Sequence, residues 1–408
     1  MNDNEVSLTI GGSVFKNWTS FSITSELNTI SPAFSVGVVT KEKTLITKLS
    51  VGKDVIVKIG ENIVLTGYVE QTPVSYSATS ANIGIAGRSK TCDLIDCTVM
   101  IKSDDILCCA QNSKDLVKSS DVASTEFKNT SIEDVISKLI APYGISLVKQ
   151  IKIEKNKPDP LVNKINFSAK NEDTVLKALQ NLTSSANLLF YGNEKGELVV
   201  TDKGYLSAED SLELGKNVIS GSANFDATKI FKYYRVVGQG KGATGNTGSA
   251  VSTYNYIAED NSIIKRTRLL TSKMEGSADL EKCETTAKGD RDYAKSQFYK
   301  ITYKVQGWRQ SNGDLWQINS IVSIKDDFLG INNNLKDKKN EVKFLITRVV
   351  FNLSEAEGMT TTIDVVPPSG WRLKTEKDKE DVKKVIKSKS EDDSIAQFSW
   401  LNHKKEYA

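Results

Sequence analysis

The sequence has a single histidine among its 408 residues, His403, which lies close to the carboxyl end. Catalytic triads, histidine-dependent general bases and histidine-rich metal sites all need an imidazole at the reacting centre. A catalyst built from this chain would have to work with carboxylates, lysine, tyrosine or cysteine alone. We therefore expect no enzyme and no catalytic residues.

Cysteine is also scarce. The five cysteines are Cys92, Cys97, Cys108, Cys109 and Cys283. An odd count without a signal peptide argues against a disulfide framework. Four of them lie close together, but zinc sites usually pair two short-spaced couples, and adjacent thiolates do not easily share one tetrahedron. We therefore expect reduced, buried cysteines and no metal site.

Long apolar runs, a signal peptide and a charge bias are missing as well. No stretch approaches the roughly 20 apolar residues that cross a bilayer, and the amino terminus lacks the basic and apolar regions of a signal peptide. The 54 basic and 51 acidic side chains leave a formal net charge of +3. This balance gives no bulk electrostatic reason to bind nucleic acid or an anionic membrane. We expect a protein made in a cytoplasm, without membrane insertion or specific nucleic-acid binding.

Short strands are present at the beginning of the chain. Apolar and polar residues alternate in 6–15, around a Gly-Gly turn, and further strand patterns cover 54–59, 63–69 and 81–87. Several short strands joined by tight turns are typical of a small barrel or sandwich. The sequence therefore predicts a first β unit up to about residue 90.

The middle of the chain has helical spacing instead. Apolar residues recur with the helical period in 130–140, where Thr130 and Glu133 form a capping box, and again in 172–186. Strand-like runs follow the second helix. These patterns predict a small α+β unit between about residues 91 and 220.

Strands return after residue 221, interrupted by one long helix that we predict in 277–298. The clearest strand patterns cover 299–305, 342–353 and 360–366. They predict a second β unit that ends near residue 368. Beyond it, lysine, glutamate and aspartate dominate the chain, a composition typical of a segment that is solvated or folds only against a partner.

A glycine-rich run at residues 240–245 has the spacing of a dinucleotide fingerprint and follows a strand-like stretch. That fingerprint needs a helix directly after the glycines, because the amino end of the helix holds the pyrophosphate. Here the chain continues with Asn-Thr-Gly-Ser and no apolar helical face. We interpret the run as a surface loop and expect no cofactor.

Neighbouring carboxylates occur four times, at Asp104–Asp105, Glu133–Asp134, Asp326–Asp327 and Asp392–Asp393. Glycoside hydrolysis needs two carboxylates that face each other about 5–10 Å apart across a sugar. Side chains of sequence neighbours point in different directions. We therefore interpret these pairs as parts of solvated faces.

Two tryptophans flank a turn in the segment 307–316. Exposed Trp308 and Trp316, with Arg309 beside them, would suit a sugar-stacking platform or an interface anchor. Alternatively, both indoles fill the core of a hairpin. We favour the core interpretation.

Motifs in a fixed order carry a family resemblance. The first is the stretch 87–97, and its conspicuous members are Gly87, Arg88, Lys90, Asp93 and Asp96. Weaker motifs follow at 142–145, 188–199, 233–239 and 266–268. The last stretch contributes Gly307, Trp308, Arg309, Gly313, Leu315, Trp316 and Asn319. In this order, over roughly residues 1–370, the chain resembles the Mu-like baseplate hub family of contractile phage tails.

The resemblance implies a β-rich α+β fold with two small antiparallel β-barrel domains, at 1–90 and 221–368. An α+β domain at 91–220 is inserted between them, and 369–408 form a charged carboxyl-terminal tail. It further implies a homotrimer whose barrels make a pseudo-sixfold ring joining the tail tube protein to the central spike protein, among other baseplate proteins. The expected location is the baseplate of a virion tail or of a tail-like particle such as a contractile bacteriocin. The motif residues would then be structural or interface residues.

Three other functions stay open. A tail-tip cell-wall hydrolase would need a carboxylate pair that the sequence does not single out. A carbohydrate-binding tail protein would use Trp308 and Trp316. A hub–spike component of a contractile secretion system would need a repetitive β-prism, which does not follow the strands. The tail 369–408 has no counterpart in the family pattern, and its apolar residues after 394 suggest a short docking segment.

Overall fold

The computed structural model describes residues 3–27, 29–40, 51–100, 124–152, 159–170, 172–183, 188–241, 251–329, 331 and 342–368. The amino-terminal strands are β1 Val6–Ile10, β2 Ser13–Phe15, β3 Ser20–Glu26, β4 Ala33–Thr40, β5 Asp54–Ile59, β6 Asn62–Gln71, β7 Val74–Tyr76 and β8 Ala81–Ser89. The middle of the chain holds α1 Asp93–Asp96, β9 Ser124–Ser131, α2 Ile132–Ile140, β10 Leu147–Gln150, β11 Lys164–Lys170, α3 Val175–Thr183, β12 Leu189–Gly192 and β13 Leu198–Thr201.

The remaining elements complete the described part of the chain. They are β14 Leu206–Ser207, β15 Leu212–Glu213, β16 Val218–Ala223, β17 Tyr233–Lys241, β18 Val251–Glu259, β19 Leu269–Ser277, α4 Leu280–Phe298, β20 Ile301–Gln306, β21 Ser320–Lys325, β22 Lys343–Ser354 and β23 Gly358–Val366. The fold is β-rich α+β, as the sequence predicts. No helix of the described part is long and apolar enough to span a membrane.

One large sheet joins the two ends of the chain. Its strands follow the order β16-β20-β23-β22-β3-β4-β8-β6-β5-β1-β2, with β7, β14, β15 and β21 attached beside this path. The junction is the antiparallel pair β3–β22, in which Phe21 lies opposite Leu353. Ser22 also donates a hydrogen bond of 3.1 Å to the Asn352 side chain. The first and last β units therefore form one continuous hydrogen-bonded surface.

A shared core lies beneath this sheet. Alternation in β3 buries Phe21 and Ile23, because successive strand residues point to opposite faces. Phe21 meets Trp308 edge to face at 5.6 Å between ring centroids. Buried residues from β1 to β8 and from β20 to β23 belong to the same apolar cluster. Packing thus reinforces the hydrogen bonding between the two ends.

The middle of the chain builds a separate core. The apolar face of α2 packs against α3 and the short sheet β10–β13–β12, in which β10 and β13 are parallel. The two-stranded sheet β9–β11 lies beside them. Leu94 of α1 belongs to this core, so the inserted unit begins within a few residues of the end of β8.

A third, smaller core forms between α4 and the sheet β18–β17–β19. Tyr234 and Val236 of the central strand face the helix, together with Ala258 of β18. Cys283 and Ala287 of α4 pack against them. Small helix residues allow this close approach between helix and sheet.

The sequence analysis predicted all three longer helices, two of them from helical periodicity, but it missed several strands. The predicted helix in 277–298 corresponds to α4, and those in 130–140 and 172–186 correspond to α2 and α3. Among the missed strands is β3, the junction of the large sheet. Its run of serine and threonine carries only two apolar residues, a weak signal for a strand. The tail 369–408 lies outside the described residues.

The predicted capping box of α2 is wrong by one residue. Thr130 belongs to β9, where it pairs with Ile165, and its hydroxyl donates to the Lys128 carbonyl at 3.1 Å. The cap is Ser131, whose side chain accepts a hydrogen bond from the Asp134 amide at 3.1 Å. The strand runs directly into the helix, which shifts the cap.

We expect Ser131→Ala to lower the free energy of unfolding of the inserted unit by about 1 kcal/mol, because an amide of the first turn loses its acceptor. Urea unfolding, together with hydrogen exchange of the α2 amides, measures the effect. Thr130→Val is the matched control and should change the value by less than about 0.5 kcal/mol. Equal losses in both variants would contradict the assignment of the cap.

Candidate assembly site

The segment 307–316 is a turn whose two tryptophan side chains are buried, whereas residues 311–314 at its tip are exposed. Gly307 and Gly313 have φ angles of 74° and 87°, values that residues with a Cβ rarely adopt. Trp308 is 1% exposed, and its indole N–H donates to the carbonyls of Asn352 and Thr360 at 3.0 and 3.2 Å. Trp316 is 2% exposed. The core interpretation is confirmed, and the sugar-stacking interpretation is wrong because neither indole face is open.

Arg309 connects this turn to the amino-terminal unit. Its guanidinium donates five hydrogen bonds, to the Asn4 and Asn62 side chains at 3.1 and 3.0 Å and to the carbonyls of Asp3, Ile59 and Gly313 at 2.6, 3.3 and 2.7 Å. Four of these acceptors belong to residues 3–62 and one to the turn itself. A guanidinium suits this role because it holds five N–H donors in a fixed plane. We call this set the arginine clasp.

Gly60 makes room for the clasp. It sits in the turn between β5 and β6 with a φ of 58°. A Cβ at this position would come within 2.5 Å of the Asp3 carbonyl and 3.3 Å of the Arg309 guanidinium. Both the backbone conformation and the space therefore require glycine here.

The same turn also contacts the segment that leads from the inserted unit. The Gln310 side chain accepts hydrogen bonds from the amides of Glu209 and Asp210 at 2.8 and 3.2 Å. Ser311 in turn donates its amide to the Asp210 carboxylate at 2.7 Å. Leu315 is half-buried and packs against the main core. The turn 307–316 thus touches residues from three parts of the chain.

Asn319 forms a second, buried connection. Its side-chain amide donates to the Thr201 hydroxyl and to the Asp202 carbonyl, both at 2.9 Å, and its oxygen accepts from the Gly204 amide at 2.7 Å. Its φ of 61° lies in the left-handed region, which asparagine tolerates better than most residues. The sequence marked Asn319 only as part of a family pattern. No local signal indicated that it would bind the end of β13.

The first motif, 87–97, surrounds another arginine. Arg88 donates to Glu70 at 2.7 and 2.6 Å and to Asp96 at 3.3 and 2.6 Å. These hydrogen bonds raise the pKa of Arg88 and lower the pKa of Asp96. Glu70 lies on β6 and Asp96 ends α1, so Arg88 joins the first β unit to the start of the inserted unit.

Close backbone packing explains the neighbouring motif residues. A Cβ on Gly87 would lie 1.9 Å from the Tyr68 carbonyl of the paired strand. Lys90 opens a single 3-10 turn that ends at Cys92. Gly196 of the inserted unit approaches it, since a Cβ there would lie 3.1 Å from the Lys90 Cβ. The motif therefore marks where two units come together.

Burial determines the properties of Asp93 and of the described cysteines. Burial raises the pKa of Asp93, and burial raises the pKa of Cys92 to about 12, so its thiol stays protonated at neutral pH. Cys92 and Cys283 are buried, as expected, whereas Cys97 is half-buried. Cys108 and Cys109 lie outside the described residues. In the described ranges no cluster of histidine, cysteine and carboxylates has a geometry that could hold a metal ion.

The remaining sequence motifs take different positions. The glycine-rich run begins at the end of β17, and the next described element, β18, returns antiparallel to it. Residues 242–250, which contain the rest of that run, lie outside the described part. Asp326 is buried rather than solvated, which corrects the interpretation of its pair, whereas Asp327 is exposed. Asp104–Asp105 and Asp392–Asp393 are not among the described residues.

Comparison with protein families gives three matches in chain order. Residues 5–89 match the amino-terminal domain of Mu phage baseplate assembly protein GpP-like. Residues 113–202 match the second domain of baseplate hub protein gp44-like, and residues 281–374 match the fourth domain of Mu phage baseplate assembly protein GpP. The motif stretch 87–97 begins at the end of the first matched region, and the stretch 307–319 lies within the last one.

Comparison with whole proteins extends the similarity over most of the chain. The baseplate hub protein gp44 of Escherichia phage Mu is 26% identical over 388 residues, covering 93% of this chain and 92% of its own. The 43 kDa tail protein of prophage MuSo2 from Shewanella oneidensis has the same fold, with a TM-score of 0.71 at 24% identity, covering 91% of this chain and all of that one. A tail protein from Neisseria meningitidis MC58 has a TM-score of 0.67 at 20% identity, covering 90% and 98%. These findings confirm the family resemblance drawn from the ordered motifs.

We expect Arg309→Ala to lower the free energy of unfolding by about 1–2 kcal/mol, because the half-buried Asn4 side chain and the buried Ile59 carbonyl lose their donor, whereas the three exposed acceptors can bond to water. Arg309→Lys should recover only a minor part, since an ammonium cannot reach five acceptors in different directions. Chemical denaturation of the full chain, monitored by tryptophan fluorescence, measures the effect.

Arg266→Ala is the matched control for the clasp. Arg266 is exposed, and both variants lose one positive charge. Its effect should stay within about 0.5 kcal/mol. A loss in Arg309→Ala no greater than in the control would contradict the role of the clasp.

Proposed function

We propose that this chain, which is similar to Mu-like phage baseplate hub proteins along most of its length, is a structural baseplate hub of a contractile phage tail or tail-like particle. The observation that carries the proposal is the match to the hub protein of phage Mu over 93% of the chain. The motif residues support it, because Arg88, Trp308 and Arg309 all join parts of the fold. None of them presents an open reactive group.

In this proposal three copies form a ring at the centre of the baseplate. Each copy contributes two barrel domains, at 1–90 and 221–368, with the domain 91–220 inserted between them. Six similar domains from three chains would match a sixfold tail tube on one side and a threefold spike on the other. The matches to a first and a fourth hub domain near the two ends of the chain support this arrangement.

A hub that transmits the force of contraction needs domains that do not separate under load. The β3–β22 junction, the arginine clasp and Asn319 provide such connections between distant segments. The proposed role is therefore mechanical, without a catalytic step. The virion baseplate is the proposed location, with tube, spike and surrounding baseplate proteins as partners.

Carbohydrate binding through Trp308 and Trp316 is not proposed, because both side chains are buried. Hydrolysis of cell-wall polymers is not proposed either, because we observe no pair of carboxylates that face each other across a groove in the described residues. Zymography on peptidoglycan is the direct check, and we expect no cleared zone.

We expect the purified chain to assemble into trimers at micromolar concentration. Sedimentation velocity should give a species of three times the 44.9 kDa chain mass, and electron microscopy should show rings with threefold symmetry. Permanent interfaces of this type bury well over about 1,000 Å². A protein that stays monomeric under these conditions, without tube or spike protein present, would contradict the trimer.

The charged tail carries a separate expectation. We expect deletion of residues 374–408 to leave the trimer intact and to weaken its assembly with a neighbouring tail protein, because the apolar residues near the end follow a stretch rich in lysine, glutamate and aspartate. Particle yield after complementation with the shortened gene measures the effect. An unchanged yield would count against a docking role for the tail.

A further inference from the structure

One aromatic side chain projects from the surface on a rigid turn. Phe328 follows β21 and is 88% exposed. The turn is fixed by buried Asp326, whose carboxylate accepts hydrogen bonds from the amides of Phe328 and Leu329 at 3.0 and 3.2 Å. The Tyr303 hydroxyl donates to the same carboxylate at 2.9 Å. A large apolar side chain is therefore held outward by a buried polar network.

The residues around Phe328 attach the turn to the core. Ile331 is buried in the main core and exchanges two backbone hydrogen bonds with Asp326, at 2.9 and 2.8 Å. Leu329 also packs against the core. Asp327, next to Phe328, is exposed. The tip of the turn thus offers one carboxylate and one phenyl ring, which we call the acidic-aromatic tip.

A second surface lies on the outer face of the sheet β18–β17–β19. Helix α4 covers the face that holds Tyr234 and Val236. Because side chains alternate along a strand, Arg235 lies on the opposite face, between its cross-strand neighbours Ile257 and Thr271. Ile257 and Leu269 on this outer face are about half exposed.

Arg235 is the polar centre of this outer face. Its Nε is buried, and within the described part of the chain it has no hydrogen-bond partner. A buried donor without an acceptor costs free energy, about 1–3 kcal/mol and more for a charged group. A carboxylate that docks on this face would balance the charge of the half-buried guanidinium, while the apolar side chains beside it would receive an apolar group. We call this surface the arginine face.

We propose that the acidic-aromatic tip of one copy docks on the arginine face of a second copy of this chain. Asp327 would pair with Arg235, and Phe328 would cover Ile257 and Leu269. The charges of Asp327 and Arg235 are complementary, and Phe328, Ile257 and Leu269 are exposed within one described chain. The inference rests on the proposed trimer and identifies a contact that holds it together.

The proposed contact joins two different surfaces, so it is heterologous. Repetition of a heterologous contact gives a closed ring when the rotation between copies closes, and an open filament when it does not. Three tips and three faces would be used in a trimer, with none left over. Phenylalanine and arginine are both enriched in protein–protein interfaces, and a turn held by hydrogen bonds loses little conformational freedom on binding.

Sedimentation velocity over a dilution series tests the contact. Phe328→Ala should raise the concentration at which trimers dissociate by at least about tenfold, the usual effect of losing a hot-spot aromatic. The matched control is Tyr76→Ala, which removes an aromatic side chain of similar exposure, 84%, from β7 of the amino-terminal unit. It should dissociate as the unmodified protein does. Thermal melting of each variant at low concentration checks that the fold is retained.

A charge exchange tests the pairing itself. Asp327→Arg and Arg235→Asp should each weaken the trimer, and the double variant should recover most of the loss because the pair is restored in reverse. Trimers that survive Phe328→Ala and Asp327→Arg unchanged would overturn the inference and leave the proposed function standing. Failure of the double variant to recover would overturn the pairing. An unmodified protein that is monomeric would overturn the proposed trimer instead.

Discussion

The antiparallel pairing of β3 with β22 is the constraint on which the rest of the fold depends. It joins residues 20–26 to residues 343–354, so most of the chain forms the loop that this pairing closes. Closing a long loop costs conformational entropy, although the cost grows only slowly with length. Burial of Phe21 and Ile23 against the carboxyl-terminal core offsets it. Once formed, the pairing brings Arg309 to the amino-terminal acceptors and makes the clasp possible.

Polar side chains then fix the relative positions of the units. Arg309 and Asn319 connect segments that are distant in sequence, and Arg88 joins β8 to β6 and to α1; each uses several hydrogen bonds in different directions. Apolar packing alone tolerates small shifts between surfaces, whereas a satisfied polar network accepts one arrangement. This division suits a protein whose proposed role is mechanical. The same logic applies to Asp326, which holds one exposed aromatic residue in a defined direction.

Periodicity was sufficient for α2 and α3 because each has an apolar face that packs on a local core. It was insufficient for strands such as β3, which has few apolar residues and forms a strand because it pairs with β22. The tryptophan turn illustrates a third case. The sequence left two interpretations of Trp308 open, and the structure decided between them because its indole N–H finds carbonyl acceptors inside the sheet. Arg309 lies next to it and was noted as available for pairing, but four of its five acceptors are about 250 or more residues away.

The amino-acid sequence by itself determined the β-rich α+β class, the three longer helices and the order of motifs that carries the family resemblance. These properties depend on local patterns or on residue identity along the chain. The partners of Arg309 and Asn319, the burial of Asp326 and the exposure of Phe328 were decided only by the tertiary structure. Each depends on which distant strands come to lie side by side, and that pairing is a property of the whole core rather than of any one segment.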